Sequence, residues 1–322
     1  MQPIILTMQK TLLETVRRYT EAHADEHGVA RTPVTGLSLL RATTPSALQY
    51  AISHPLVALV LQGGKRVTIG SETHNFGAGE SLLISADVPT VSQITRASLN
   101  APYLSVVVDL DPAVIEGLVV EMGVVPTAGH MPSGVDPTEA EVEDSVIRLM
   151  RLLDRPAAIP VLQKQLMREL HFWLLSGRHG GGIRALGIAE NFARRISHAV
   201  SIIRRSYAKS LRIDDLAAAV GMSTSSFHEH FRSVTSLTPL QFQKQLRLIE
   251  ARRMMLADGT MISNAAYAVG YESIPQFTRE YRRMFGLPPA RDMRAAKERT
   301  QTAWSAIGRR TTVQSHPVNA KL

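Results

Sequence analysis

The sequence predicts an α+β protein in two parts: an N-terminal antiparallel β-barrel with flanking helices, then an all-α half in which a linker helix joins two helix-turn-helix motifs. Three observations predict it. Short apolar or alternating runs punctuated by glycine and proline fill residues 35–110, the hydrophobic period becomes helical after Asp111-Pro112, and the last third of the chain contains an internal duplication.

Residues 10–27 (KTLLETVRRYTEAHADEH) read as one amphipathic helix, with Leu12, Leu13, Val16 and Tyr19 at helical spacing, placed to cap the barrel. The runs TGLSLLRAT, LVALVLQGG, KRVTIG, THNF, SLLISADVP and APYLSVVVDLDP follow. They are rich in Val, Ile, Leu and Thr, with Gly63-Gly64 and Gly77-x-Gly79 between them, as hairpins closing into a small barrel or sandwich require. Helical periodicity begins around Ile115 to Met122 and is strong from Glu139 to Leu153, where Val142, Val146, Leu149, Leu152 and Leu153 form an apolar stripe. Another helix runs from Val161 to about Ser176. These helices can cover their own sheet or pair with a second copy, and the sequence leaves both open. The segment GRHGGG, 177–182, reads as a hinge because its glycines cost a regular element too much entropy. From there to residue 299 the pattern is helical, and residues 300–322 read as a disordered tail.

The chain has 322 residues, 44% hydrophobic and 20% charged, long enough for two domains with their own cores. No apolar run reaches the 18 or so residues of a membrane span, and the first residues lack the pattern of an export signal. With no cysteine there is no disulfide framework, no thiol catalysis and no Cys-ligated metal, which fits a cytoplasmic location. The net charge of +8 is unevenly spread: residues 1–180 carry 14 Lys+Arg against 18 Asp+Glu, whereas 181–322 carry 22 against 10. A basic half attached to a mildly acidic one suggests that one domain meets a polyanion and the other does something else.

The duplication lies in the basic half. Val220-Gly221 matches Val269-Gly270 at an offset of 49; then Ser223, Phe227, Phe231, Arg232, Leu237 and Pro239 match Ser273, Phe277, Tyr281, Arg282, Leu287 and Pro289 at an offset of 50. The second turn has gained one residue. Each copy has an alanine-rich first helix (213–220 and 262–269), a glycine able to turn left-handed, and a serine that caps the next helix. Phe227 with Phe231, and Phe277 with Tyr281, fall at i, i+4 and must face the core. The opposite faces then present Ser225, His228, Glu229 and Arg232 in the first copy, and Pro275, Gln276, Arg279 and Arg283 in the second. An anchored helix with a polar and basic stripe outward is what reading a major groove requires. Between the copies, a helix of about 17 residues spans roughly 25 Å, enough to hold two such heads about one DNA turn (~34 Å) apart once their own widths are added.

LAAAVGMSTSSFHEHFRSVTSLTPLQFQKQLRLIEARRMML and AAYAVGYESIPQFTREYRRMFGLPP resemble the DNA-binding domain of the AraC/XylS family of bacterial transcription regulators over about 90 residues. The runs PLVALVLQGGKRV, GAGESLLISADVP and APYLSVVVDLDP resemble the cupin-like barrel of AraC-type N-terminal domains. The resemblance implies a cupin-like regulatory domain over 1–180, with a helical extension at 138–176 as the candidate for dimerisation, and a double helix-turn-helix domain over 183–299. It implies a non-enzymatic, sequence-specific activator or repressor whose partners are promoter DNA, RNA polymerase, a small-molecule effector and a second copy of itself. By that alignment, base edges are read by Ser225, His228, Glu229, Gln276 and Arg279. The phosphate contacts fall to Arg232, Lys244, Arg282 and Arg283. Ser236 departs from the pattern, standing where a glycine is usual.

A cupin-like barrel also raises an alternative, a metal-dependent enzyme fused to a basic nucleic-acid-binding domain. The usual His-x-His pair is incomplete, because Phe76 follows His74 at the second position. His23 with His27 lies on a polar helix face, and His228 with His230 diverges at i, i+2, so no metal, cofactor or catalytic residue is expected. Polar residues in or near the strands, His54, Gln62, Lys65, His74 and Arg96, are the candidates to line an effector pocket.

Overall fold

The structure is a computed structural model and describes residues 2–70, 72–123, 133–187, 192–296 and 298. The expected tail at 300–322 lies outside the described residues. Contacts divide the chain into two compact units: residues 1–204 with 212–242, and 205–211 with the residues from 243 onward.

In the first unit, helix α1 (Gln2–His23) begins and ends earlier than its periodicity suggests. The Asp25 carboxylate accepts hydrogen bonds from the backbone N–H groups of His27 and Val29, each at 2.9 Å, and this Asx turn redirects the chain into strand β1 (Val29–Arg31). Two antiparallel sheets follow. The larger runs β1, β2 (Leu37–Ala42), β9 (Tyr103–Asp109), β4 (Leu56–Gln62), β7 (Glu80–Ile84), β10 (Ser133–Pro137); the smaller runs β3 (Gln49–Ser53), β8 (Val88–Arg96), β5 (Gly64–Ile69), β6 (Glu72–Gly77).

Strand alternation assigns each face of the larger sheet. Leu37, Leu39, Val57, Leu59, Leu83, Leu104, Val106 and Val108 point to one side, where Leu12 and Val16 of α1 and Val142, Val146 and Leu149 of α3 (Ala140–Leu153) complete a core. The apolar stripe of α3 is therefore spent on its own sheet and is not available to a second copy. The other face carries Val60, Leu82, Tyr103 and Ser105, and the smaller sheet answers with buried Val67, Ile69, Phe76 and Ile94. This is the expected barrel.

Helix α2 (Pro112–Met122) starts where Asp111 caps it, accepting from the N–H groups of Ala113 and Val114, and stops at Gly123 with φ 60. Beyond α4 (Ile159–Ser176) the expected glycine hinge is corrected. Gly180–Gly187 forms helix α5, and its Ile183 and Leu186 join the barrel core. A Cβ on Gly180 would lie 2.1 Å from the Leu175 carbonyl oxygen. That glycine serves close packing, which composition does not distinguish from flexibility.

Helix α6 (Phe192–Ser206) precedes the first helix-turn-helix, α7 (Ile213–Ala219) and α8 (Thr224–Thr235). Helix α9 (Pro239–Ala257) leads to the second, α10 (Ile262–Ala268) and α11 (Ile274–Phe285). In the second unit Leu248, Ala251 and Met255 of α9 pack on Ala265, Ala266, Val269, Tyr271, Phe277 and Tyr281. No helix among the described residues is long and apolar enough to cross a membrane.

Candidate nucleic-acid interface

Each motif turns on a left-handed glycine, Gly221 (φ 66) and Gly270 (φ 88). At Gly270 the requirement is double, since a Cβ would also come within 2.0 Å of the Ala208 carbonyl oxygen. Arg247 secures the same corner, donating to the carbonyls of Tyr207, Lys209 and Gly270. Ser223 and Ser273 then cap α8 and α11, their hydroxyls accepting from the N–H groups of Ser226 and Gln276.

In α8 the anchors Phe227 and Phe231 are fully buried, and Phe231 meets Phe242 edge-on at 5.7 Å. Ser225, His228, Glu229 and Arg232, at i, i+3, i+4 and i+7, are all exposed. His230 turns the other way and stacks on Phe192, with ring centres 3.6 Å apart. In α11 the anchors are Phe277 and Tyr281, while Pro275, Gln276, Arg279, Arg282 and Arg283 are exposed. The geometry thus gathers three of the base-reading candidates on α8 and two on α11.

Two buried carboxylates hold α11, and the sequence reading passed over both. Glu280 accepts from the Tyr271 hydroxyl at 2.7 Å, pairs with the Lys244 ammonium at 2.9 Å, and receives a longer bond from Gln276 at 3.5 Å. Burial pushes the Glu280 pKa up, but the hydrogen bonds from Tyr271 and Lys244 outweigh it and leave the group below its ordinary value. Asp292 accepts from Tyr281 at 2.8 Å and pairs with Arg252 at 2.7 Å. Lys244, a phosphate-contact candidate, is exposed but already engaged with Glu280, and Gln276 is tethered to the same carboxylate. The available signal was an acidic residue three positions from Phe277, on the inward side of an otherwise basic helix.

The barrel candidates scatter. His54 lies outside the strands, half-exposed, bound to Asp109 at 2.9 Å. A bulge between Val60 and Gln62 puts Gln62 opposite Leu104, on the helix-covered face, where it accepts from Arg17 and donates to the Pro102 carbonyl. His74 faces inward from β6 and bonds Ser133 at 3.1 Å, and exposed Arg96 reaches the Gly63 carbonyl at 3.3 Å. Lys65 sits on the inward face of β5, flanked across the sheet by Phe76 and Ile94. Among the described residues no three His, Asp or Glu side chains are grouped to hold a metal ion.

Residues 33–182 match the family model of the AraC-type transcriptional regulator N-terminus, and residues 216–295 match that of a helix-turn-helix domain. The chain is 25% identical over 109 residues to the HTH-type transcriptional activator RhaS of Escherichia fergusonii, covering 34% of this chain and 39% of that protein. It is 27% identical over 105 residues to the HTH-type transcriptional regulator ExsA of Pseudomonas aeruginosa, covering 33% and 38%. The chain therefore spans about two fifths of the length of these curated relatives. A crystal structure of ToxT from Vibrio cholerae O395, bound to (E)-4-(8-methylnaphthalen-1-yl)but-3-enoic acid, superposes with a TM-score of 0.53 over 81% of this chain and 98% of that one. At 10% identity, that likeness concerns the fold alone. None of these matches favours the metal-dependent enzyme alternative.

Proposed function

Because the chain belongs to the AraC family of transcription regulators by its two matched domains, we propose that it regulates promoters by sequence-specific DNA binding. Helices α8 and α11 enter successive major grooves, and a small-molecule effector in the barrel biases occupancy. The observation that carries this reading is the pair of serine-capped helices with aromatic anchors inward and polar and basic stripes outward.

Ser225, His228, Glu229, Gln276 and Arg279 are the proposed base readers: Arg279 suits guanine, Gln276 adenine, and Glu229 the amino group of cytosine. Arg232, Arg282 and Arg283 meet phosphates. Lys244 joins them only by exchanging Glu280 for a phosphate. The effector reading draws support from the small molecule held by the ToxT neighbour. The division into a regulatory domain over 1–180 and a DNA-binding domain over 183–299, a homodimer, a contact with RNA polymerase and a cytoplasmic location belong to the same proposal.

Selection from random duplexes by the full-length protein at fixed salt tests it. The expected product is a site with two preferred blocks about one DNA turn (~10.5 bp) apart. On that site Arg279→Ala should cost about 1–3 kcal/mol and relax one base, whereas Arg283→Ala should weaken all sequences alike and lower the salt slope by about one. Selection that enriches no sequence overturns the regulator reading; unchanged affinity in Arg279→Ala removes that residue from the base readers.

A further inference from the structure

We propose that the cleft between the β9–α2 corner and helix α4, outside the barrel, binds a small zwitterion whose ammonium and carboxylate are held apart by a short apolar body. The site is separate from the barrel interior and does not depend on the DNA reading above.

The cleft has a volume of about 610 Å³, within the range of small-molecule sites. Short contacts fix its frame. The Asp109 N–H donates to the Gly36 carbonyl at 2.8 Å, and the Asp111 N–H donates to His171 Nε2 at 3.0 Å. His171 in turn donates from Nδ1 to the Met167 carbonyl at 2.7 Å, and burial holds its pKa below the ordinary value, so it is neutral and brings no charge to the cleft. At Gly36 φ is 79, and a Cβ there would stand 3.5 Å from the Met167 Cε and 3.7 Å from the Asp109 Cβ. The end of β9 and the face of α4 are thus set against each other across a single glycine.

The charges of the lining sort to two ends. Asp109 and Asp111 lie at the His171 end, and each carboxylate uses Oδ1: Asp109 on His54, Asp111 on the N–H groups of Ala113 and Val114. Their Oδ2 atoms have no hydrogen-bond partner among the described residues. Lys164 lies two helical turns away from His171, about 10 Å along α4 at a rise of about 1.5 Å per residue. It is exposed and has no ion pair among the described residues, whereas Arg168, between the two ends, is committed to Glu121. Beside Lys164, the Gln163 Oε1 is buried without a hydrogen-bond partner. Leu110, Val114 and Met167 supply the apolar wall.

This layout rejects simpler ligands. A carboxylate alone meets two like charges at one end, and an amine alone leaves Lys164 unanswered at the other. A zwitterion satisfies both: its ammonium donates to the free Oδ2 atoms, and its carboxylate accepts from the Lys164 ammonium and from the Gln163 amide, which turns about its last torsion to present an N–H. The hydrocarbon between the charges covers Met167 and Val114. Glycine, whose two charged groups share one carbon, does not reach both ends.

The experiment titrates the full chain with ε-aminocaproate by calorimetry and follows its thermal melting. Caproate and hexylamine, each lacking one of the charges, and glycine are the controls. The ε-aminocaproate should bind and raise the melting temperature, and each control should bind about tenfold more weakly or worse. Asp109→Asn and Lys164→Met should each weaken ε-aminocaproate about tenfold. Lys164→Glu should reverse the preference at that end, so that hexamethylenediamine binds in place of ε-aminocaproate, an outcome that a change in stability alone does not produce. No binding of ε-aminocaproate, equal binding of caproate or hexylamine, or a Lys164→Glu protein that keeps its preference for ε-aminocaproate overturns the proposal. DNA selection is read separately: its failure removes the regulator reading and leaves this site, and its success beside a failed titration does the reverse.

Discussion

In the first helix-turn-helix Phe231 packs edge-on against Phe242 and His230 lies flat on Phe192. At the matching positions the second copy has Tyr281, whose hydroxyl donates to Asp292, and Glu280, which Tyr271 and Lys244 hold from two sides. The outward stripes do not depend on which solution is used: both helices show exposed reading positions over fully buried aromatic anchors. The motif demands only a shape and an inside–outside pattern, and that demand can be met by rings alone or by rings with buried ion pairs. The two solutions differ in how they fail. An aromatic cluster loses stability in proportion to the volume removed, whereas a buried ion network fails when one member leaves the others unpaired.

The largest contrast should come from Asp292→Ala, which removes the carboxylate that pairs with Arg252 and accepts from the Tyr281 hydroxyl, and should destabilise the second copy by about 3–5 kcal/mol. Replacing Asp292, Arg252 and Tyr281 together by Leu, Met and Phe should come close to neutral, moving the second copy toward the first copy's chemistry. Hydrogen exchange read separately over residues 243–296 and 213–242 would show whether the loss stays in the second copy. A smaller effect should come from acid. The folded pKa of Glu280 lies below its unfolded value, so its contribution is complete above about pH 4.3 and is lost as pH falls through the folded value. Protection in the second copy should fall first on acidification, and Glu280→Gln should remove that pH dependence while costing about 1–3 kcal/mol at neutral pH.

The smallest effect concerns the ends of the reading helices. Ser236 is the non-glycine residue with positive φ (60) among the described residues, and its counterpart Gly286 sits at φ 80. Ser236→Gly should stabilise the first copy by about 1 kcal/mol, and Gly286→Ala should destabilise the second by a similar amount, since no side chain or backbone crowds that position. Equal melting temperatures for both variants and the wild type would show that the two ends are not under the same constraint.

What could be read in the sequence follows the range of the interactions concerned. Local signals survive well: the serine caps, the left-handed glycines at 221 and 270, and the i, i+4 anchors each involve residues a few positions apart. The ion networks could not be read this way, because Lys244 and Glu280, or Arg252 and Asp292, meet only once α9 has folded back on α11. The effector candidates show the same limit. Lys65 lies on the inward face of β5, but a bulge one residue long turns Gln62 onto the face of α1, and strand period alone does not place a bulge. GRHGGG misleads for a related reason: close approach to Leu175 and freedom to swivel ask for the same residue.

The duplication with one inserted residue bears on orientation. Ser225, His228 and Glu229 on α8 have no chemical counterparts in Gln276 and Arg279 on α11. A single chain engaging DNA as proposed would therefore read two unlike words in a fixed order, and its site would be a non-palindromic arrow. Inverting that site beside a start of transcription would turn the whole protein around, presenting the opposite flank to whatever binds next to it.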